Sequence, residues 1–290
     1  MLYEISNLVC AYGHAGKKVL HVEELLIPER KIIVILGLSG IGKSTFLETL
    51  GLMNNTIVPD NRTIFRFRGN GHHSELDFSS AWSENSDSYL SKLRNQHFSF
   101  IFQDTNLMPN FTAIENIMLT LMLQGHTRKQ SRQIAIDFLD KVGMGEIDPD
   151  KKVFELSGGQ RQRIAFIRAI CPDFTVLLGD EPTGNLDRFT SRKLMQILQS
   201  SIHEKEGSAI IVSHDVELSI AFADQLIIIN KNQEEEDEND FHGLINSKSV
   251  FNLVQNENSR KWKNGKGLLT DNQMTSYIQN LLNEQSKKSE

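Results

Sequence analysis

Polar and apolar positions alternate loosely over residues 2–11 and again over 19–27. That two-residue period belongs to strands with one buried face. Pro28 and a turn at Glu29-Arg30 close the second strand. Residues 31–36 read KIIVIL, a continuous apolar run. Such a run suits a strand buried on both faces of a parallel sheet. Further strands are predicted over 98–102, 176–179, 209–213 and 225–230. Residues 54–92 read as polar and irregular, except that 63–67 alternates like an edge strand. Apolar residues every three or four positions predict helices over 43–51, 112–124, 130–142, 158–170, 188–202 and 216–223. Strands alternating with helices imply right-handed βαβ units and a mainly parallel sheet.

The pattern changes after Asn230. Residues 234–240, EEEDEND, form an acidic run, and an Asn- and Lys-rich tail follows. Within it Met274, Tyr277, Ile278, Leu281 and Leu282 fall on one helical face. A helix over about 272–285 is expected, docked on its own domain or, alternatively, on a partner. The chain therefore divides at about residue 230. A globular domain spans 1–230, and an acidic loop with a helical extension spans 231–290.

The chemistry begins where KIIVIL ends. Residues 37–45, GLSGIGKST, satisfy G-x-x-x-x-G-K-[ST] between a buried strand and a helix. The backbone N–H groups of Gly37, Leu38, Ser39, Gly40, Ile41 and Gly42 can curl around phosphate oxygens, helped by the positive end of the following helix. Lys43 reaches the β- and γ-phosphates, and the Ser44 hydroxyl, followed by Thr45, ligates Mg²⁺. Residues 175–181, TVLLGDE, run four apolar positions into Gly179, Asp180 and Glu181. Carboxylates at the end of a parallel strand sit where open α/β sheets bind ligands. Asp180 is then a partner of Mg²⁺ beside Ser44, and Glu181 can polarise an attacking water. Residues 156–160, LSGGQ, open another helix: Ser157, Gly158, Gly159 and Gln160 make a second anion cradle. One nucleotide does not need two cradles at once. The simplest use of the second is on the nucleotide of a neighbouring subunit.

With these motifs, residues 2–230 resemble the ATP-binding subunit of ABC transporters. The phosphate loop, the glutamine loop around Gln103 (FIFQD), LSGGQ, Asp180-Glu181, Asn185-Leu186-Asp187 and the histidine of IVSHD, His214, stand in that family's order. The resemblance implies a P-loop fold of the ABC ATPase type. Its parts are a mainly parallel core sheet, an antiparallel β subdomain and a helical signature subdomain over about 104–170. It also implies roles. Glu181, His214 and Gln103 are catalytic. Tyr12 stacks on adenine, and Asp187 belongs to the nucleotide interface. Ser44, Gln103 and Asp180 serve the metal. ATP and Mg²⁺ are the cofactors. The partners are a second ATPase subunit of the same kind and an integral membrane permease subunit. The stretches EPTGNLD and FQDTNLMPNFTAIENIMLTLMLQG resemble the branch that serves lipoprotein release, macrolide export and cell division. Gly179 departs from the usual apolar residue. The segment before Gln103 is longer than in compact members, and the acidic run interrupts the usual closing hairpin.

Composition narrows the alternatives. At 290 residues, 39% hydrophobic and 23% charged, the chain has globular composition and can bury a sizeable core. A net charge of −6 lacks the basic footprint of a nucleic-acid protein. The two cysteines, Cys10 and Cys171, lie in apolar sequence without metal or redox spacing. His72-His73 is the only tempting metal pair and lacks further ligands at suitable spacing. No apolar run reaches the ~20 residues of a membrane span, and the N-terminus lacks the cationic flank of a secretory signal. The expected location is cytoplasmic, on the inner face of the membrane through the partner. An importer ATPase, or a soluble regulatory or nucleic-acid-associated ATPase with the same head domain, remains the alternative.

Overall fold

The computed structural model describes residues 1–13, 17–69, 75–232, 242–256, 259–265 and 267–287. The acidic run and the His72-His73 pair lie outside them. The chain forms two compact units, one of residues 1–91 and 210–290, the other of 92–209.

In the first unit Tyr3–Tyr12 and Lys17–Ile27 are the strands their alternation predicts, and they pair antiparallel. Inward residues of Tyr3–Tyr12 meet the aromatic side chains of Ile64–Phe67, and Phe78 packs on these. Tyr3, Phe65, Phe67 and Phe78 are all 1% exposed or less, with the Tyr3 and Phe67 rings 5.0 Å apart. Burial pushes the Tyr3 phenol pKa up, and its Oη donates to Leu50 O at 2.8 Å. That bond ties the antiparallel sheet to the last turn of the helix Lys43–Leu50. Ile32–Leu36 is buried at every position and runs parallel to Gln225–Ile228.

Three expectations need correction. Ile64–Phe67 is not an edge strand: it pairs with Tyr3–Tyr12 on one side and Leu76–Asp77 on the other. Residues 54–92 are not irregular, because helices Ala81–Glu84 and Asp87–His97 begin there. Leu90 and Leu93 are the buried apolar residues of the second helix, too few to show a period. The tail holds strands as well as a helix. Gly243–Ile245 joins Lys17–Ile27 in parallel. Val250–Asn256 adds to Gln225–Ile228, followed by Ser259–Asn264 and Gly267–Leu269. Polar residues hide Ser259–Asn264, where Trp262 is the one fully buried side chain, and the other three strands are short.

The final helix, Asp271–Lys287, docks on its own unit, against Val216–Phe222 and the last two strands. Its buried stripe is narrower than predicted. Met274 and Ile278 are fully buried and Leu281 and Leu282 half-buried. Tyr277 is 41% exposed, with one face 5.5 Å from the Phe251 ring.

In the second unit Phe98–Ile101 and Val176–Asp180 pair in parallel. Helices Ala113–Leu123, Arg128–Lys141 and Gly158–Ile170 pack on one another. Thr112 and Thr127 start the first two with complete capping boxes.

The Tyr3–Leu50 bond yields a stability prediction. Tyr3→Phe keeps the aromatic cluster and leaves a buried carbonyl unpaired, costing about 1–2 kcal/mol. Urea unfolding checks this; an unchanged midpoint would deny the bond.

Candidate functional site

A fully buried strand must become a helix between Gly37 and Lys43. Gly42 makes the turn possible, with φ +102 and a Cβ position only 3.0 Å from Val19 Cγ1. It is also the N-cap of Lys43–Leu50, so that helix has no side-chain cap. The helices that follow Thr112, Thr127, Ser157, Asp187 and Asp215 all have one. An uncapped helix start with the positive dipole end behind it is an anion cradle.

Lys43 is only 6% exposed and donates from Nζ to Gly37 O at 3.0 Å and Leu38 O at 2.7 Å. Its ammonium is therefore folded into the loop, beside the same amides. Ser39, Gly40 and Ser44 are exposed, while Ile41 and Thr45 are buried. Thr45 Oγ1 lies 3.0 Å from Tyr12 Oη. Tyr12, half exposed, thus stands beside the first turn of this helix. Amides, an ammonium and a hydroxyl fit a polyphosphate, and an exposed ring beside them fits a base. Ser44 offers a hard oxygen donor of the kind Mg²⁺ takes. Among the described residues no group of three or more His, Cys, Asp and Glu could hold a metal by itself. A cation here would share phosphate oxygens.

His214 follows the strand Ser208–Val212 and is exposed. Ser213 N donates to Ile35 O at 3.2 Å, which ties this loop to the strand that feeds the phosphate loop. Asp215 then caps Val216–Phe222.

The second unit holds the remaining residues. Ile101 pairs with Gly179, so Gln103 and Glu181 leave the same carboxyl edge of a parallel pair. Asp180 is half-buried and Gln103 exposed. Glu181 has φ +48, a strained left-handed conformation for a side chain of its size. Gln162 holds it there. This residue is 1% exposed and donates from Nε2 to Pro182 O at 2.9 Å and Glu181 O at 3.4 Å. Arg168 does the same for the glutamine loop, donating to Asn106 O at 2.7 Å and Thr105 O at 2.8 Å. Burial lowers the Arg168 pKa. The sequence reading missed both residues. The available signal was a polar side chain, Gln162, three and four positions before the apolar Ala165 and Phe166.

Ser157 caps Gly158–Ile170 in a box with Gln160: Ser157 N donates to Gln160 Oε1 at 2.8 Å, and Gln160 N to Ser157 Oγ at 3.3 Å. Around Gly158 there is open space, while a Cβ on Gly159 would meet Leu186 at 3.4 Å. Asp187 accepts from Thr190 N at 3.0 Å and Thr190 Oγ1 at 2.6 Å. Those bonds hold its carboxyl below the usual range.

Residues 20–184 match the ABC transporter family. The lipoprotein-releasing system ATP-binding protein LolD of Saccharophagus degradans is 36% identical over 215 residues, covering 73% of this chain and 88% of its own length. The protein of the same name from Myxococcus xanthus is 32% identical over 224 residues, 75% and 92% of the two chains. A dimeric structure of the ATP-binding cassette MJ0796, in a post-hydrolysis state with ADP and Pi, is similar at a TM-score of 0.67 and 28% identity. That match covers 78% of this chain and 94% of the other. The matched family span contains the phosphate loop, LSGGQ and Asp180-Glu181, and the chain belongs to the ABC transporter family as an ATP-binding subunit.

Proposed function

We propose that this chain hydrolyses ATP as one half of a head-to-tail pair and so drives a separate integral membrane subunit. The observation that carries this reading is the uncapped helix start at Lys43, set beside Tyr12 with an ammonium folded into its loop. A polyphosphate supplies the acceptors that terminus lacks. Family membership supports ATP as that polyphosphate. The dimeric cassette with ADP and Pi supports a second copy as partner. The LolD relatives support lipoprotein release, or export of that kind, over import.

On this reading the amides of residues 37–45 and Lys43 hold the β- and γ-phosphates, and Tyr12 stacks on the adenine. Ser44, Asp180 and Gln103 would hold Mg²⁺, which offsets phosphate charge when bound. Glu181 orients the attacking water and takes its proton as the bond to the γ-phosphorus forms and the bond from that phosphorus to the β–γ bridging oxygen breaks, releasing ADP and phosphate. His214 meets the γ-phosphate. Ser157, Gly158, Gly159 and Gln160, with Asp187, close over the nucleotide of the other copy.

Among the described residues no helix is long and apolar enough to cross a membrane. We place the chain on the inner face of the cell membrane through its partner. The docking surface we favour is a groove of about 250 Å³ lined by Phe98, Phe100, Phe102, Leu119 and Leu123. Phe100 and Phe102 stack at 5.7 Å, and Leu123 is 65% exposed. Phe102 adjoins Gln103, so an apolar helix seated here would press on the glutamine loop.

Two variants separate binding from chemistry. Glu181→Gln should keep ATP affinity while turnover falls about a hundred-fold or more. Lys43→Ala removes a charge-assisted contact of about 1.5–3 kcal/mol and should weaken ATP binding about ten-fold or more. Calorimetry and phosphate release read these; normal turnover in the first variant defeats the role of Glu181. A third variant, Leu123→Asp, should abolish co-purification with the membrane subunit and leave ATP affinity of the isolated chain unchanged. Retained co-purification would move the docking surface elsewhere.

A further inference from the structure

The segment 242–287 lies well beyond the family match, which ends at residue 184. It is nevertheless built onto the element that follows His214. That element is the helix Val216–Phe222, which starts two residues after the histidine. Its first turn is closed from the His214 side. Asp215 Oδ1 accepts from Leu218 N at 2.8 Å, and Asp215 O accepts from Ser219 Oγ at 2.6 Å. Seven residues are too few to hold a helix alone, and its last carbonyls have no partner within the helix.

Arg260 supplies those partners. Its Nη1 donates to Ala221 O at 3.2 Å, and its Nη2 donates to Ile220 O. A cation at a helix C-terminus is also favoured by the dipole. The guanidinium is itself aimed by two neighbours. It lies 5.8 Å from the Trp262 ring centre, and its Nε is 3.5 Å from Asp271 Oδ2. Trp262 is fully buried, and its Nε1 donates to Asp271 Oδ1 at 2.8 Å. Asp271 begins the final helix, which packs on Val216–Phe222. The result is a frame around one short helix. Ser213 is pinned to Ile35 at the near end, and Arg260 clamps the far end.

We propose that Arg260, held by Trp262 and Asp271, is a positioning residue for His214. It fixes the far end of the helix whose near end carries the histidine. The proposal rests on the reading that His214 acts at the γ-phosphate. It makes the 242–287 segment part of the hydrolytic machinery without contact to nucleotide.

The test is ATP hydrolysis by the full chain, followed in steady state and single turnover. Arg260→Ala should lower kcat about ten-fold, with KM and ATP affinity changed less than about two-fold. Arg260→Lys keeps the charge but loses the two-pronged fork, so it should recover part of the rate. Hydrogen exchange at the amides of 217–222 should speed up in Arg260→Ala. In a His214→Ala background Arg260→Ala should add no further loss, since both act through one group. Asp271→Asn retains an acceptor for Trp262 and removes the charge beside Arg260. It should give an intermediate rate and serves if Arg260→Ala fails to fold. Unchanged kcat in the variant that folds overturns the proposal. So does an equal loss from Arg260→Ala in the wild-type and His214→Ala chains. A wild-type chain that does not hydrolyse ATP, or a His214→Ala chain with full turnover, refutes the underlying reading instead and takes this proposal with it.

Discussion

A helix start without a side-chain cap is a standing deficit, and the rest of the first unit is arranged around it. The first amides of Lys43–Leu50 have no intrahelical acceptor, and Gly42 has no side chain to offer one. The glycine is required because the turn needs φ +102 and Val19 leaves no room for a Cβ. The chain therefore forgoes a cap, worth about 1 kcal/mol, to bring backbone close to a ligand. Everything near that point is fixed. Tyr12 is bonded to Thr45, Tyr3 holds the far end at Leu50, and Lys43 is folded onto loop carbonyls. Gly243 backs the loop so closely that a side chain there would collide with Ile41 O. A terminus held in place this way spends little on ordering when an anion arrives.

The phosphate loop, LSGGQ and the helix starts were legible because their causes are local. A glycine turn, a serine cap and a capping box act over three or four residues, and the sequence displays them side by side. The parallel run KIIVIL was legible for a related reason, since burial on both faces leaves no polar positions. What escaped depends on contacts far apart in sequence. Ile64–Phe67 alternates as an edge strand would, yet Leu76–Asp77 covers its open side. The strands of 243–269 are short, and they exist because Gln225–Ile228 and Lys17–Ile27 offer them edges. Tyr277 has the spacing of a buried residue, but the stripe that docks is narrower, running through Met274 and Ile278. Gln162, Arg168 and Arg260 all act through backbone carbonyls of another segment, 19 to 63 residues away in sequence. No short motif encodes such a bond.

The two anion cradles of the chain are built on opposite terms. At Lys43 the helix starts on a glycine and has no side-chain cap. At Ser157 the cap and Gln160 already satisfy each other, and the glycines beside them face open space. A phosphate reaching the first cradle meets helix amides without displacing a side-chain cap. A phosphate reaching the second must share or displace the Ser157 hydroxyl, so its net gain is smaller. On the proposed reading the first site binds nucleotide by itself, whereas the second adds only the surplus left after its own cap is disturbed. Under the head-to-tail reading that ordering is what a reversible machine requires. Firm binding comes first and closure second, and the closing contact is weak enough to reopen once the γ-phosphate is gone.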